Sequence, residues 1–163
     1  LVGQSWPRVD LPATDGTLVA LGEEPGCVVL FAYPRTSPAD GSSILGWDTI
    51  PGAKGCTAQS CGFRDGNGTL VGLGVAKVYG LSPQDTEYQT EAAARLHLPF
   101  PLLSDDALRL RNALSLPIFE AGGMTLLHRF AMVLRNGSIE RVIHSLEDTG
   151  AYAATVIDYL RDA

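Results

Sequence analysis

The chain has 163 residues, the size of one ordinary domain, so a single compact unit over 1–163 with a substantial core is expected. Twelve Lys and Arg against eighteen Asp and Glu leave a net charge of −6 with no basic run, which argues against a nucleic-acid partner. The longest apolar stretches, Cys27 to Tyr33 and Ala131 to Leu134, fall far short of the roughly twenty residues a membrane helix requires, so no membrane is expected either.

Residues 1–22 are broken by Pro7, Pro12 and the pair Asp15-Gly16, with short apolar runs on either side, and predict a small antiparallel flap. Cys27 to Tyr33 is continuously apolar and rich in β-branched and aromatic residues, as suits a central strand buried on both faces. From Pro34 to Gly55 the chain carries prolines, glycines and serines without apolar periodicity, and a loop of that length in a small domain is usually functional. Thr57 to Asp65 predicts a short helix, weak or early-ending because of glycines 62, 66 and 68.

Val75 to Leu81 reads as a second buried strand, and Pro83 to Leu96 as a helix with Ser82 as its N-cap. Residues 105–114 predict a short helix capped by Ser104. Thr125 to Leu134 and Ser138 to His144 flank an Asn136-Gly137 turn and predict a hairpin; Ala151 to Leu160 closes the chain as a helix. Strands alternating with helices, then a hairpin and a last helix, give an α/β class with a mixed sheet covered on both faces.

Three cysteines are an odd number and too few for a disulfide-stapled secreted scaffold, and no secretory signal is recognisable, so a reducing compartment, the cytoplasm, is expected. A start at Leu1 leaves an upstream targeting peptide open. Cys27, inside a core strand, reads as a small buried hydrophobe. Cys56 is different, because it stands at the beginning of a helix, where unpaired N–H groups and the helix dipole stabilise a thiolate. Oxidation of that thiolate by a peroxide would give a sulfenic acid, which condenses with a nearby thiol such as Cys61. Five residues of intact helix separate the two side chains by about 7.5 Å of rise and some 140°, so the helix must locally unwind before they bond. A zinc site is disfavoured because His97, His128 and His144 show no ligand-like spacing with the pair, and a C-x-x-C dithiol is absent.

Gly55-Cys56-Thr57-Ala58-Gln59-Ser60-Cys61-Gly62-Phe63-Arg64-Asp65 resembles the motif G-C-T-x-x-x-C-x-F-R-D of the peroxiredoxins, in particular the PrxQ or bacterioferritin-comigratory subgroup. Phe31-Ala32-Tyr33-Pro34 is similar to that family's F-x-Y-P, and the segment from Phe100 to Asp105 to its F-P-L-L-S-D loop. The resemblance implies a thioredoxin-like fold, a central mixed sheet flanked by helices with an N-terminal β-hairpin. It implies reduction of hydrogen peroxide and organic hydroperoxides without a metal or prosthetic group, and recycling by thioredoxin or a similar dithiol protein. Cys56 would be the peroxidatic cysteine and Cys61 the resolving one, joined in an intramolecular disulfide. Pro34 would shield the thiolate, and Arg129, chosen over its neighbour His128, would hold the thiolate and polarise the peroxide. A monomer or weak homodimer is the corresponding expectation.

One departure stands out. The family's threonine three positions before the cysteine is Ala53 here, and Thr36 or Thr49 in the inserted loop could supply the hydroxyl. Trp47 and Ile50 could line the entrance to the site or anchor the loop. Arg64 and Asp65 are as well explained by pairing with each other or capping a helix as by catalysis. Two other functions stay in view, a thiol-based sensor that oxidises once and stalls without its partner, and a holdase that works after both cysteines are replaced.

Overall fold

The computed structural model describes residues 1–35 and 56–162, with side chains from residue 58 onward in the second segment. Two short strands, β1 (Leu11–Pro12) and β2 (Leu18–Val19), pair antiparallel around the Asp15-Gly16 turn, as expected of the flap. A single 3-10 turn, Leu21–Glu23, leads into β3 (Cys27–Ala32). Every residue of β3 is buried.

Helix α1 (Cys56–Gly72) crosses over to β4 (Val75–Ser82), which runs parallel to β3. Then follow α2 (Thr86–Arg95), β5 (Leu102–Ser104), α3 (Arg109–Leu114) and a separate hairpin of β6 (Ile118–Ala121) and β7 (Met124–Leu127). Strands β8 (Phe130–Arg135) and β9 (Ser138–His144) turn at Asn136-Gly137, and α4 (Ala151–Asp162) ends the chain. Asn136 and Gly137 both hold positive φ, the backbone that a tight primed turn demands of its two central residues.

The main sheet has the order β5-β4-β3-β8-β9, with β3 at its centre, parallel to β4 and antiparallel to β8. Successive residues of β3 feed opposite cores, as the period of two requires. Val28, Leu30 and Ala32 join the flap residues Leu11 and Val19 and, from α3, Leu110. Val29 and Phe31 face the layer of α1 and α4, meeting Phe63, Leu70, Tyr152 and Val156. Phe31 and Phe63 stack with centroids 4.4 Å apart, which locks α1 onto the strand that precedes it. This is the thioredoxin-like arrangement with an N-terminal hairpin.

Four elements differ from expectation. The helix after Cys56 is neither short nor early-ending; it runs 17 residues through glycines 62, 66 and 68. Two of those glycines lie against α4: a Cβ at residue 62 would stand 3.0 Å from the Gly150 carbonyl oxygen, and one at residue 66 would stand 3.2 Å from Ile157 Cδ1. Their missing side chains let two helices approach, and tertiary packing outweighs low helix propensity. The second helix starts at Thr86, capped by Asp85, whose carboxylate accepts from Tyr88 N. Ser82 is held by the sheet through its pairing with Ser104, so it cannot serve as the cap.

Residues 105–114 form a helix only from Arg109. Ser104 ends β5, and the Asp105 carboxylate accepts from the N–H groups of Leu110 and Arg111 at 3.0 and 2.9 Å. The stretch Thr125 to Leu134 is not one strand: residues 124–127 pair back onto β6, and the chain breaks at His128 and Arg129 before β8. Arg129 lies in that break, between β7 and β8.

Candidate active site

Three segments converge at the carboxyl end of β3. Helix α1 begins at Cys56, so its first turn projects its N–H groups at that residue. Its second turn carries Gln59 and Ser60, both completely buried. Gln59 Nε2 donates to the carbonyl of Ala32, the last residue of β3, at 3.1 Å, and to the carbonyl of Phe130, the first residue of β8, at 3.4 Å. Its Oε1 accepts from Arg129 Nη1 at 2.6 Å. Arg129 is only 6% exposed, which for a guanidinium marks a charge deliberately held inside the fold.

Pro34 is buried two residues beyond Ala32. The next residue, Arg35, donates from Nη2 to the Tyr88 hydroxyl at 3.4 Å. Pro34 follows the end of β3, and Gln59, one turn along α1 from Cys56, joins that end to Arg129. His128 does not join them: it is exposed, its ring 5.0 Å from that of Phe119. Between the two neighbours, Arg129 is the one turned inward.

Cys61 is a free, half-buried thiol five residues along the same unbroken helix as Cys56. By helix geometry the two positions are separated by about 7.5 Å of rise and some 140°. Arg64, one turn after Cys61, donates from Nε to Asp65 at 3.0 Å and from Nη1 to the Leu96 carbonyl at the end of α2 at 2.9 Å. Its role here is to tie α1 to α2, in keeping with the structural reading of Arg64 and Asp65. Cys27 is buried in β3, and burial pushes its thiol above the ordinary value against the opposing pull of Arg135. Among the described residues no cluster of His, Cys, Asp and Glu could hold a metal ion. Also among them, no helix is long and apolar enough to cross a membrane.

Sequence reasoning missed Gln59, which occupied one of the unassigned positions between the two cysteines. The available signal was its spacing, since a residue three after Cys56 shares its helix face. Thr36, Thr49, Trp47, Ile50 and Ala53 lie outside the described residues.

Comparisons with known proteins identify the family and the fold. The redoxin family profile matches residues 1–157. The peroxiredoxin Bcp of Bacillus subtilis (strain 168) is 32% identical over 113 residues, 69% of this chain and 62% of that protein. The chloroplastic peroxiredoxin Q of Gentiana triflora is 30% identical over 163 residues, 99% of this chain and 67% of that one. This chain therefore spans roughly two thirds or less of the length of these curated relatives. The crystal structure of the peroxidoxin BcpB from Mycobacterium tuberculosis superposes with a TM-score of 0.77 at 24% identity, covering 99% of this chain and 96% of that one. The chain belongs to the redoxin family and, within it, to the peroxiredoxin Q and Bcp group.

Proposed function

We propose that this chain is a thiol peroxidase that reduces hydrogen peroxide and organic hydroperoxides, with Cys56 as the attacking thiolate and Cys61 as the resolving thiol. The observation that carries the reading is the buried Arg129, brought from 70 residues away in sequence onto Gln59, one helical turn from Cys56. A fixed guanidinium and a helix N-terminus both favour an anion at residue 56, the condition for a nucleophilic thiol. Membership of the peroxiredoxin Q and Bcp group supports the same chemistry.

In the first step the Cys56 thiolate attacks one peroxide oxygen, the O–O bond breaks, and the other oxygen leaves as water or an alcohol after taking up a proton. Cys56 is oxidised to a sulfenic acid. Arg129 stabilises the thiolate and then the charge developing on the departing oxygen. Pro34, buried beside the end of β3, limits water at the sulfur. In the second step Cys61 sulfur attacks the sulfenic sulfur, water leaves, and an intramolecular disulfide forms. An external dithiol protein of the thioredoxin type reduces that disulfide and is itself oxidised.

Because α1 is continuous from Cys56 through Cys61, disulfide formation requires its first turns to unwind. The reading assigns no metal or prosthetic group, no nucleic-acid or membrane partner, a monomer or weak homodimer, and action in a reducing compartment such as the cytoplasm. Hydrogen peroxide consumption with a thioredoxin recycling system tests it on wild type, Cys56→Ser and Cys61→Ser. Turnover is expected of wild type, none of Cys56→Ser, and a single turnover of Cys61→Ser. Full activity of Cys56→Ser would overturn the assignment.

A further inference from the structure

We propose that the Ser60 hydroxyl decides the fate of the oxidised site: buried without a partner, it raises the population of the opened helix from which Cys61 reaches Cys56. The inference rests on the reading that the two cysteines form a disulfide. Ser60 lies one turn after Cys56 and directly before Cys61, so it belongs to the stretch of α1 that must open.

The Ser60 side chain is completely buried, and its Oγ has no hydrogen-bond partner. Other hydroxyls of the chain show what it forgoes. Thr90 Oγ1 donates to the Thr86 carbonyl at 2.7 Å and Thr155 Oγ1 to the Ala151 carbonyl at 2.8 Å, each one turn back along its helix. Among the described residues, the buried serines of the sheet are both paired. Ser82 Oγ accepts from Gln89 Nε2 at 2.9 Å, and Ser104 Oγ donates to the Gln84 carbonyl at 2.6 Å.

A buried hydroxyl gives up its bonds to water, and at Ser60 nothing replaces them, so the intact helix bears the cost. Unwinding brings the hydroxyl to solvent and removes that cost. For one such group the effect is a factor of about ten in the equilibrium between closed and opened turns. Its buried neighbours act the other way. Gln59 is held by the Ala32 and Phe130 carbonyls, and Phe63, stacked on Phe31, anchors the turn beyond. Ser60 stands between them as the group that gains from opening.

Opening matters because the Cys56 sulfenic acid has two fates. In one, the Cys61 sulfur attacks it, water leaves and the disulfide forms. In the other, a second hydroperoxide oxidises it: the O–O bond breaks, one oxygen adds to the sulfur to give a sulfinic acid, and the other leaves as water or an alcohol. Only the first proceeds from the opened turns. Ser60 therefore raises the peroxide concentration at which the protein still cycles.

The test uses the full chain with Ser60→Ala, which removes the hydroxyl and little else. Gly68→Ala serves as control, since it stabilises a later turn of α1 where an added Cβ meets nothing within 4 Å. Stopped-flow mixing with hydrogen peroxide separates attack at Cys56 from disulfide formation, and mass spectrometry finds the peroxide dose that yields sulfinic acid. Hydrogen exchange on the reduced protein reads the opening of residues 56–62. Ser60→Ala is expected to leave the attack unchanged and to slow disulfide formation about tenfold. The sulfinic dose should fall, and exchange should slow, by about the same factor. Gly68→Ala should change none of these.

Wild-type disulfide formation and exchange in Ser60→Ala would overturn the proposal. So would a slowing of the attack equal to that of disulfide formation, because the hydroxyl would then serve the first chemical step. The same loss in Gly68→Ala would also overturn it, by making general helix stability the cause. If wild type itself forms no disulfide between Cys56 and Cys61, the two-cysteine reading fails and the proposal falls with it.

Discussion

Two glycines in one helix should give opposite responses to the same substitution. Replacing glycine by alanine inside a helix contributes about 1 kcal/mol from propensity alone. At residue 68 a Cβ meets nothing within 4 Å, so Gly68→Ala should collect that gain in full. For a chain of this size it corresponds to a rise in Tm of about 2–4 °C. At residue 62 the added carbon would lie 3.0 Å from the Gly150 carbonyl oxygen, a backbone atom in the turn that opens α4, so the strain cannot be relieved by rotating a side chain. Overpacking of this kind costs about 1–3 kcal/mol, which cancels or exceeds the propensity gain. The two variants should therefore differ by about 2 kcal/mol, read as urea midpoints with equal slopes. If Gly62→Ala is as stabilising as Gly68→Ala, then the glycines do not serve the contact between α1 and α4.

Three further outcomes follow from the same structure. Burial, outweighing the donors Leu110 N, Arg111 N and Arg109 N, raises the Asp105 carboxyl above its ordinary 3.8, so the folded state keeps this proton longer than the unfolded chain does. Wild type should then lose stability relative to Asp105→Asn as pH rises from 3.8 through the raised value, and the difference should stay constant above it; a wild type that gains stability relative to Asp105→Asn over that range would contradict the sign. Iodoacetamide should modify half-buried Cys61 in the native protein well before Cys27, whose thiol is both buried and shifted upward; equal rates would contradict the packing of β3. Phe63→Ala removes a fully buried ring stacked on Phe31 and should cost about 3–5 kcal/mol in urea unfolding, while a loss under 1 kcal/mol would mean the stack does not anchor α1.

Elements whose signal is local were legible in the sequence. The apolar run of β3, the flap around Asp15-Gly16 and the Asn136-Gly137 turn each follow from composition within a few residues, and each occurs where expected. Elements decided by distant partners were not. Strand β5 has three residues and exists because β4 pairs with it. The length of α1 depends on α4, some ninety residues later, which converts its glycines from breakers into contact points. Ser82 and Ser104 looked like caps, but sheet pairing claimed both, and Asp85 and Asp105 supply the carboxylates instead. At the site, the sequence singled out Arg129 but not Gln59, whose spacing after Cys56 places it on the same helix face but whose partners, the carbonyls of Ala32 and Phe130, come from distant strands.

The central claim is a two-cysteine peroxide cycle, and the most direct measurement is peptide mapping after one equivalent of hydrogen peroxide is added to the reduced protein. The account predicts that two of the three thiols disappear, that the single peptide containing both Cys56 and Cys61 carries an internal disulfide, and that Cys27 stays free. A disulfide that includes Cys27, or peroxide consumed with Cys56 left as a free thiol, would contradict it.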